Sequence, residues 1–238
     1  MDDRFAMDNR LDGQALDAAL HLLDRQVIDE DGLLVCKVDD LEISFYDFGS
    51  PPAVTRILTG PAALVPRMSS RTGHLLRKRW ISLGVQYADR DVPLAISLDH
   101  VVHLGSGVHL DVSREGLLDR QPPPDDGVRI RRLGELLGMK VESNHPELRG
   151  KVLDVRLEPV EGRYLLRHFV VGPGRPGSLL GYDRGDFNGP WLVAVVVERL
   201  HRHIRLASCA NVSEADIDWD AGVVHLREDT TVDDVSFD

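Results

Sequence analysis

The sequence predicts a mainly β protein built from two small β-barrels in tandem, each entered through a short helix and carrying one further helical segment. Three observations predict it. First, one stretch occurs twice: a slide of 114 positions puts Leu23 on Leu137, Val27 on Val141, Lys37 on Lys151, Val38 on Val152 and Asp40 on Asp154, without a gap. Self-similarity at a long fixed spacing marks a duplicated structural unit. Second, the apolar phase is the same in both copies, Val38, Leu41 and Ile43 against Val152, Val155 and Leu157. A step of three followed by a step of two breaks strand alternation by one residue, as a bulged or coiled strand does, and barrels need such a bend. Third, the register persists: residues 57–64 fall on 171–178, aligning Gly60 with Gly174, and Val108-His109-Leu110 returns as Val224-His225-Leu226, now 116 positions on.

The elements follow in order. Residues 1–12 are polar and are expected to be a flexible amino terminus. The first barrel is expected over residues 13–116. Leu16, Ala19, Leu20, Leu22 and Leu23 recur at helical spacing behind Asp12, a plausible cap, and make the lead-in helix. Strand residues follow at Val27 and Ile28, then a turn at Asp31-Gly32, the bulged strand over residues 34–45, a loop at 49–52 and a strand at 54–58. Further strands are expected near 92–98, 101–104 and 108–112. Residues 117–127 hold three consecutive prolines, which favour a stiff, extended linker.

The second barrel is expected over residues 128–226. Residues 128–137 repeat the lead-in helix, 164–171 alternate as a strand, and 172–177 form a glycine and proline loop. Leu192, Val196 and Leu200 recur at four, with Pro190 in the first turn, and predict a helix over 191–200. Segments 206–212 and 223–226 close the unit. Residues 227–238 are acidic and almost without apolar content, so a disordered or loosely held tail is expected.

Asp40 and Asp154 precede the apolar pair in each copy and are read as fold determinants whose carboxylates accept backbone N–H groups where the ladder is broken. Gly150 and Gly174 are read as fold-determining with them. The order of apolar strand, turn, Gly150-Lys151-Val152-Leu153-Asp154-Val155, long strand, glycine-proline loop and final strand resembles the PRC-barrel family. That family is the small β-barrel of the photosynthetic reaction centre H subunit and of ribosome maturation factors. Leu136-Leu137-Gly138, Leu180-Gly181-Tyr182-Asp183-Arg184 and Gly189-Pro190-Trp191-Leu192 also fit, and the second copy is similar to PRC-barrel proteins of high-GC Gram-positive bacteria. The first copy departs, with Asp24 for Gly138 and Cys36 for Gly150, and reads as a diverged barrel. The resemblance spans roughly residues 20–226. It implies a scaffolding or docking role and carries over no catalytic residues.

Composition narrows the function classes. A formal net charge of −11 repels nucleic acid and anionic lipid unless a local patch reverses the sign. The amino terminus has no apolar run, and the longest apolar stretch, residues 191–197, is far shorter than a membrane span. A soluble, cytoplasmic protein is expected, with Cys36 and Cys209 as core thiols. There is no Gly-x-Ser-x-Gly, no HExxH and no cofactor fingerprint. The glycine loop around Arg175 lacks the Lys-Ser/Thr of a phosphate loop, and the His201-x-His203 pair has no third ligand at a recognisable spacing, so no metal and no cofactor are expected.

Cations concentrate at Arg77, Lys78 and Arg79 and again at Arg199, Arg202 and Arg205, each run preceding the closing strands of its copy. On an otherwise acidic body these would form basic ridges suited to an acidic protein surface. The expected function is therefore a non-enzymatic adaptor that docks a protein partner, with a homo-oligomer left open. A role in ribosome assembly through a ribosomal protein is the alternative, and direct nucleic-acid binding is disfavoured by charge.

Overall fold

The computed structural model describes residues 11–46, 50–67, 92–173, 204–209 and 212–234. The chain is mainly β. Its first copy contributes β1 (Leu16–Asp17), α1 (Ala18–His21), β2 (Gln26–Ile28), β3 (Leu34–Lys37), β4 (Asp40–Tyr46), β5 (Ala53–Thr59), α2 (Pro61–Arg67), β6 (Leu94–Ser97), β7 (Val101–Leu104), β8 (Val108–Leu110) and β9 (Asp119–Arg120). The second contributes β10 (Val128–Arg132), α3 (Leu133–Leu136), β11 (Lys140–Glu142), β12 (Gly150–Val160), β13 (Arg163–Gly172), β14 (Arg205–Ser208), β15 (Ile217–Asp218), β16 (Val223–His225) and β17 (Val232–Asp234).

The duplication is visible in the ladders. In the first copy β2 runs parallel to β8 with Val27 opposite Val108. In the second, β11 runs parallel to β16 with Val141 opposite Val224. The two Val-His-Leu triplets thus occupy the same place. Likewise Gln26 faces Lys37 and Lys140 faces Lys151, while Ile57 faces Ile96 and Val171 faces Arg205.

The long strand of each copy is broken as the apolar phase requires. In β12 the register shifts between Val152 and Asp154, leaving Leu153 as the extra residue. In the first copy the same place is a full interruption, and the expected continuous strand is cut into β3 and β4 at Val38 and Asp39.

The copies are joined by exchange. β5 pairs β13 antiparallel, Val54 opposite Tyr164, and this seam joins the β4–β5 and β13–β12 hairpins in one sheet. The outer edge of each hairpin is covered by the lead-in of the other copy. β1 pairs β12, with Leu16 opposite Leu157. β10 pairs β4, with Val128 opposite Tyr46 and Arg132 opposite Glu42. One buried apolar cluster accordingly draws on both copies, from Leu16, Leu41 and Ile43 to Leu133, Val155, Leu157 and Phe169. Among the described residues the sheets do not close into a barrel.

Two expectations are corrected. The lead-in helices are single turns of four residues preceded by strand residues, and the residues before them are Asp17 and Arg132. Asp12 does not cap α1. Its carboxylate accepts the Leu104 N–H at 2.6 Å and meets His103 Nδ1 at 2.9 Å. The acidic carboxyl-terminal segment is also ordered in part: β17 pairs β14, with Leu206 opposite Asp233. Its first-copy counterpart is β9, which pairs β6 with Ala95 opposite Asp119. The composition misleads because a short edge strand is held by backbone bonds and needs few apolar side chains. The helix expected over residues 191–200 lies outside the described residues.

Candidate functional site

Several buried polar side chains, among them Asp17, Asp40, Glu42 and Asp154, lie where the lead-in of one copy meets the long strand of the other. The Asp154 carboxylate accepts the N–H groups of Ala19 at 2.7 Å, Leu20 at 3.0 Å and its neighbour Val155 at 2.7 Å. Asp40 does the same on the other side, accepting from Gly134 at 2.9 Å and Leu41 at 2.8 Å. Both aspartates therefore take backbone donors at the first turn of the other copy's helix, where N–H groups have no partner within the helix. The expectation that these carboxylates accept backbone N–H groups beside the broken ladder is met for Leu41 and Val155. That they also clamp the exchanged helices was not legible.

Beside each clamp lies a charged cross-strand pair. Arg156 binds Asp17 through two bonds, Nε to Oδ1 at 2.8 Å and Nη2 to Oδ2 at 3.1 Å. On the other side Arg132 stands opposite Glu42, and its Nη1 donates to the Ala62 carbonyl at 2.8 Å. Glu42 is fully buried and accepts from Thr55 Oγ1, Arg56 Nη1 and Gln121 Nε2, each at 2.6 Å. Gln121, directly before the three prolines, thereby ties the linker to β4.

Burial, and after it the negative charge of Asp17, push the Asp154 carboxyl up to about 7, against the backbone N–H groups that favour the anion. Burial also works to raise Glu214, but the guanidinium groups of Arg131 and Arg129 outweigh it and hold that carboxyl below its ordinary range. Arg131 in turn stacks over Trp219, 4.7 Å from the ring centroid, and Phe45 packs edge-on to the same ring.

Of the expected partner-binding cations, Arg205 is described. It lies on β14, partly covered, with Nε 3.2 Å from Glu147 Oε2. Arg77, Lys78, Arg79, Arg199 and Arg202 lie outside the described residues, as do Gly174, Arg175, His201 and His203. Gly150 opens β12 at φ +147, and a Cβ there would stand 2.2 Å from the Gly172 carbonyl oxygen, so the crossing of β12 and β13 admits only glycine. Cys209 is buried and Cys36 partly so, and burial pushes the Cys36 thiol up to about 11.

Among the described residues no three His, Cys, Asp or Glu side chains are grouped to hold a metal ion, and no helix is long and apolar enough to cross a membrane. A cleft of about 150 Å³ opens on the second copy between Ser208, Asp216, His225, Arg227 and Thr231. Asp17, Glu42, Arg156 and Gln121 were not singled out from the sequence. For Glu42 and Arg156 the signal was present, since the 114-position slide puts one on the other with opposite charge; Asp17 falls one short of Arg132, on Arg131, and Gln121 has no charged counterpart. The sequence matches no known protein-family model and none of the curated proteins.

Proposed function

We propose that the chain is a non-enzymatic scaffold, a duplicated PRC-barrel-like protein that presents its paired halves to a protein partner. The observation that carries it is the use made of the buried carboxylates. Asp17, Asp40, Glu42 and Asp154 all bind groups of this chain, and three of them join one copy to the other. A side chain engaged in holding strands and helix starts together serves architecture, and the product is a two-copy body with a shared core. The resemblance of the second copy to PRC-barrel proteins supports the docking role, as does the strongly negative net charge, which favours proteins over nucleic acids as partners.

The test is capture from native lysate with the full chain and with Arg77, Lys78 and Arg79 all changed to Glu. One dominant protein partner, lost in the variant, is the expected result. No binding to generic RNA or duplex DNA is expected at physiological salt. RNA binding that weakens steeply as salt rises would overturn the adaptor reading, because released counterions drive such binding.

A further inference from the structure

The two charged cross-strand pairs on the seam have opposite polarity. Asp17 and Arg132 each immediately precede the short helix of their copy, and Glu42 and Arg156 occupy matching places two residues after Asp40 and Asp154. In the fold Asp17 stands opposite Arg156 and Arg132 stands opposite Glu42. Both ladders thus join an acid to a base, one with the acid on the lead-in and the other with the acid on the long strand.

We propose that this sign inversion is a pairing code: the outer edge of each long strand is an interaction surface that accepts the lead-in of the other half and rejects that of its own half. If each lead-in paired within its own copy, Asp17 would face Glu42 and Arg132 would face Arg156. Like charges directly opposite in a ladder repel, and here they would do so with little water to screen them, since Glu42 is fully buried and the Asp17 and Arg156 side chains are 13% and 20% exposed. The same clash arises if the first halves of two chains, or the second halves, try to pair with each other. The Asp40 and Asp154 clamps cannot make this choice, because both copies carry the same aspartate and both lead-ins offer the same backbone donors. Specificity between partners of the same backbone geometry needs an element that penalises the wrong pairing, and the inverted charges supply it.

The counterpart of each position in the other copy carries the opposite charge. Charge-reversed variants therefore probe pairing with little change in local preference. In the full chain, D17R sets a second guanidinium against that of Arg156 and should lower the melting temperature by several degrees, and D17R/R156E should recover most of the loss. D17R/R132D leaves composition and net charge unchanged but mismatches both ladders, so it too should melt lower. A disulfide engineered by L16C/L157C reports the exchanged pairing in each background. Failure of R156E to rescue D17R would overturn the proposal. So would a D17R/R132D protein that melts with the wild type and still closes the engineered disulfide.

Discussion

Asp154 accepts the backbone N–H of Ala19 across 135 residues of sequence, and Asp40 accepts that of Gly134 across 94 in the reciprocal direction. The repeated aspartates are thus the points at which each copy holds the other. Removing an acceptor from buried donors costs about 1–3 kcal/mol per group left without a partner. Asp154→Ala should therefore destabilise the protein by about 3 kcal/mol in urea unfolding, and Asp154→Asn by less, because the amide oxygen can still accept from Ala19 and Val155.

The elevated Asp154 carboxyl adds a pH dependence of known sign. Its folded value of about 7 lies above the unfolded 3.8, so the folded state holds an extra proton between those limits. The stability this site contributes is fully present below pH 3.8 and is lost as pH rises toward 7. Asn carries no such proton. The melting-temperature difference between wild type and Asp154→Asn should accordingly move against the wild type between pH 4 and 7, and a flat difference across that range would contradict the shift.

Gly150 permits the close crossing of β12 and β13. Gly150→Ala forces a Cβ into the Gly172 carbonyl in a backbone region that side chains rarely adopt. Overpacking and backbone strain each cost about 1–3 kcal/mol, so a loss of about 3 kcal/mol or more is expected by chemical denaturation.

Truncation after Leu226 removes β17 and its ladder to β14, together with the Thr231 carbonyl that accepts the Ser208 N–H at 3.0 Å. The melting temperature should fall by several degrees. An unchanged value would mean that β17 contributes nothing to the fold.

Much of the architecture was legible because a duplication constrains a sequence twice. The matched apolar phase located the interrupted strands, the Val-His-Leu triplets located β8 and β16, and the repeated aspartates marked the breaks in the ladder, though not their hold on the other copy's helix. Exchange was not legible in the same way, because Leu16 can face Ile43 or Leu157 equally well as far as apolar pattern goes. The inverted charges at Asp17, Arg132, Glu42 and Arg156 separate the two pairings, and their full correspondence emerges only when the ladders show that Asp17 matches Arg132, one residue past the position that the 114-residue slide gives it. The lead-in helices were overestimated because Leu16 and Ala19 are buried by a strand pair and a single turn, whose combined spacing imitates a longer helix. The strand β17 was missed because backbone pairing leaves little trace in composition.

The exchanged pairing is tested most directly by oxidising two double-cysteine variants of the full chain, L16C/L157C and L16C/I43C, and mapping the disulfide by mass spectrometry of peptides from the monomer. Directly opposite residues in an antiparallel ladder have Cα atoms about 4.5–5.5 Å apart, within disulfide range. Closure of L16C/L157C within one chain, with L16C/I43C remaining reduced, is the expected result. Closure of L16C/I43C in its place would show that each lead-in stays with its own copy and would contradict the exchange.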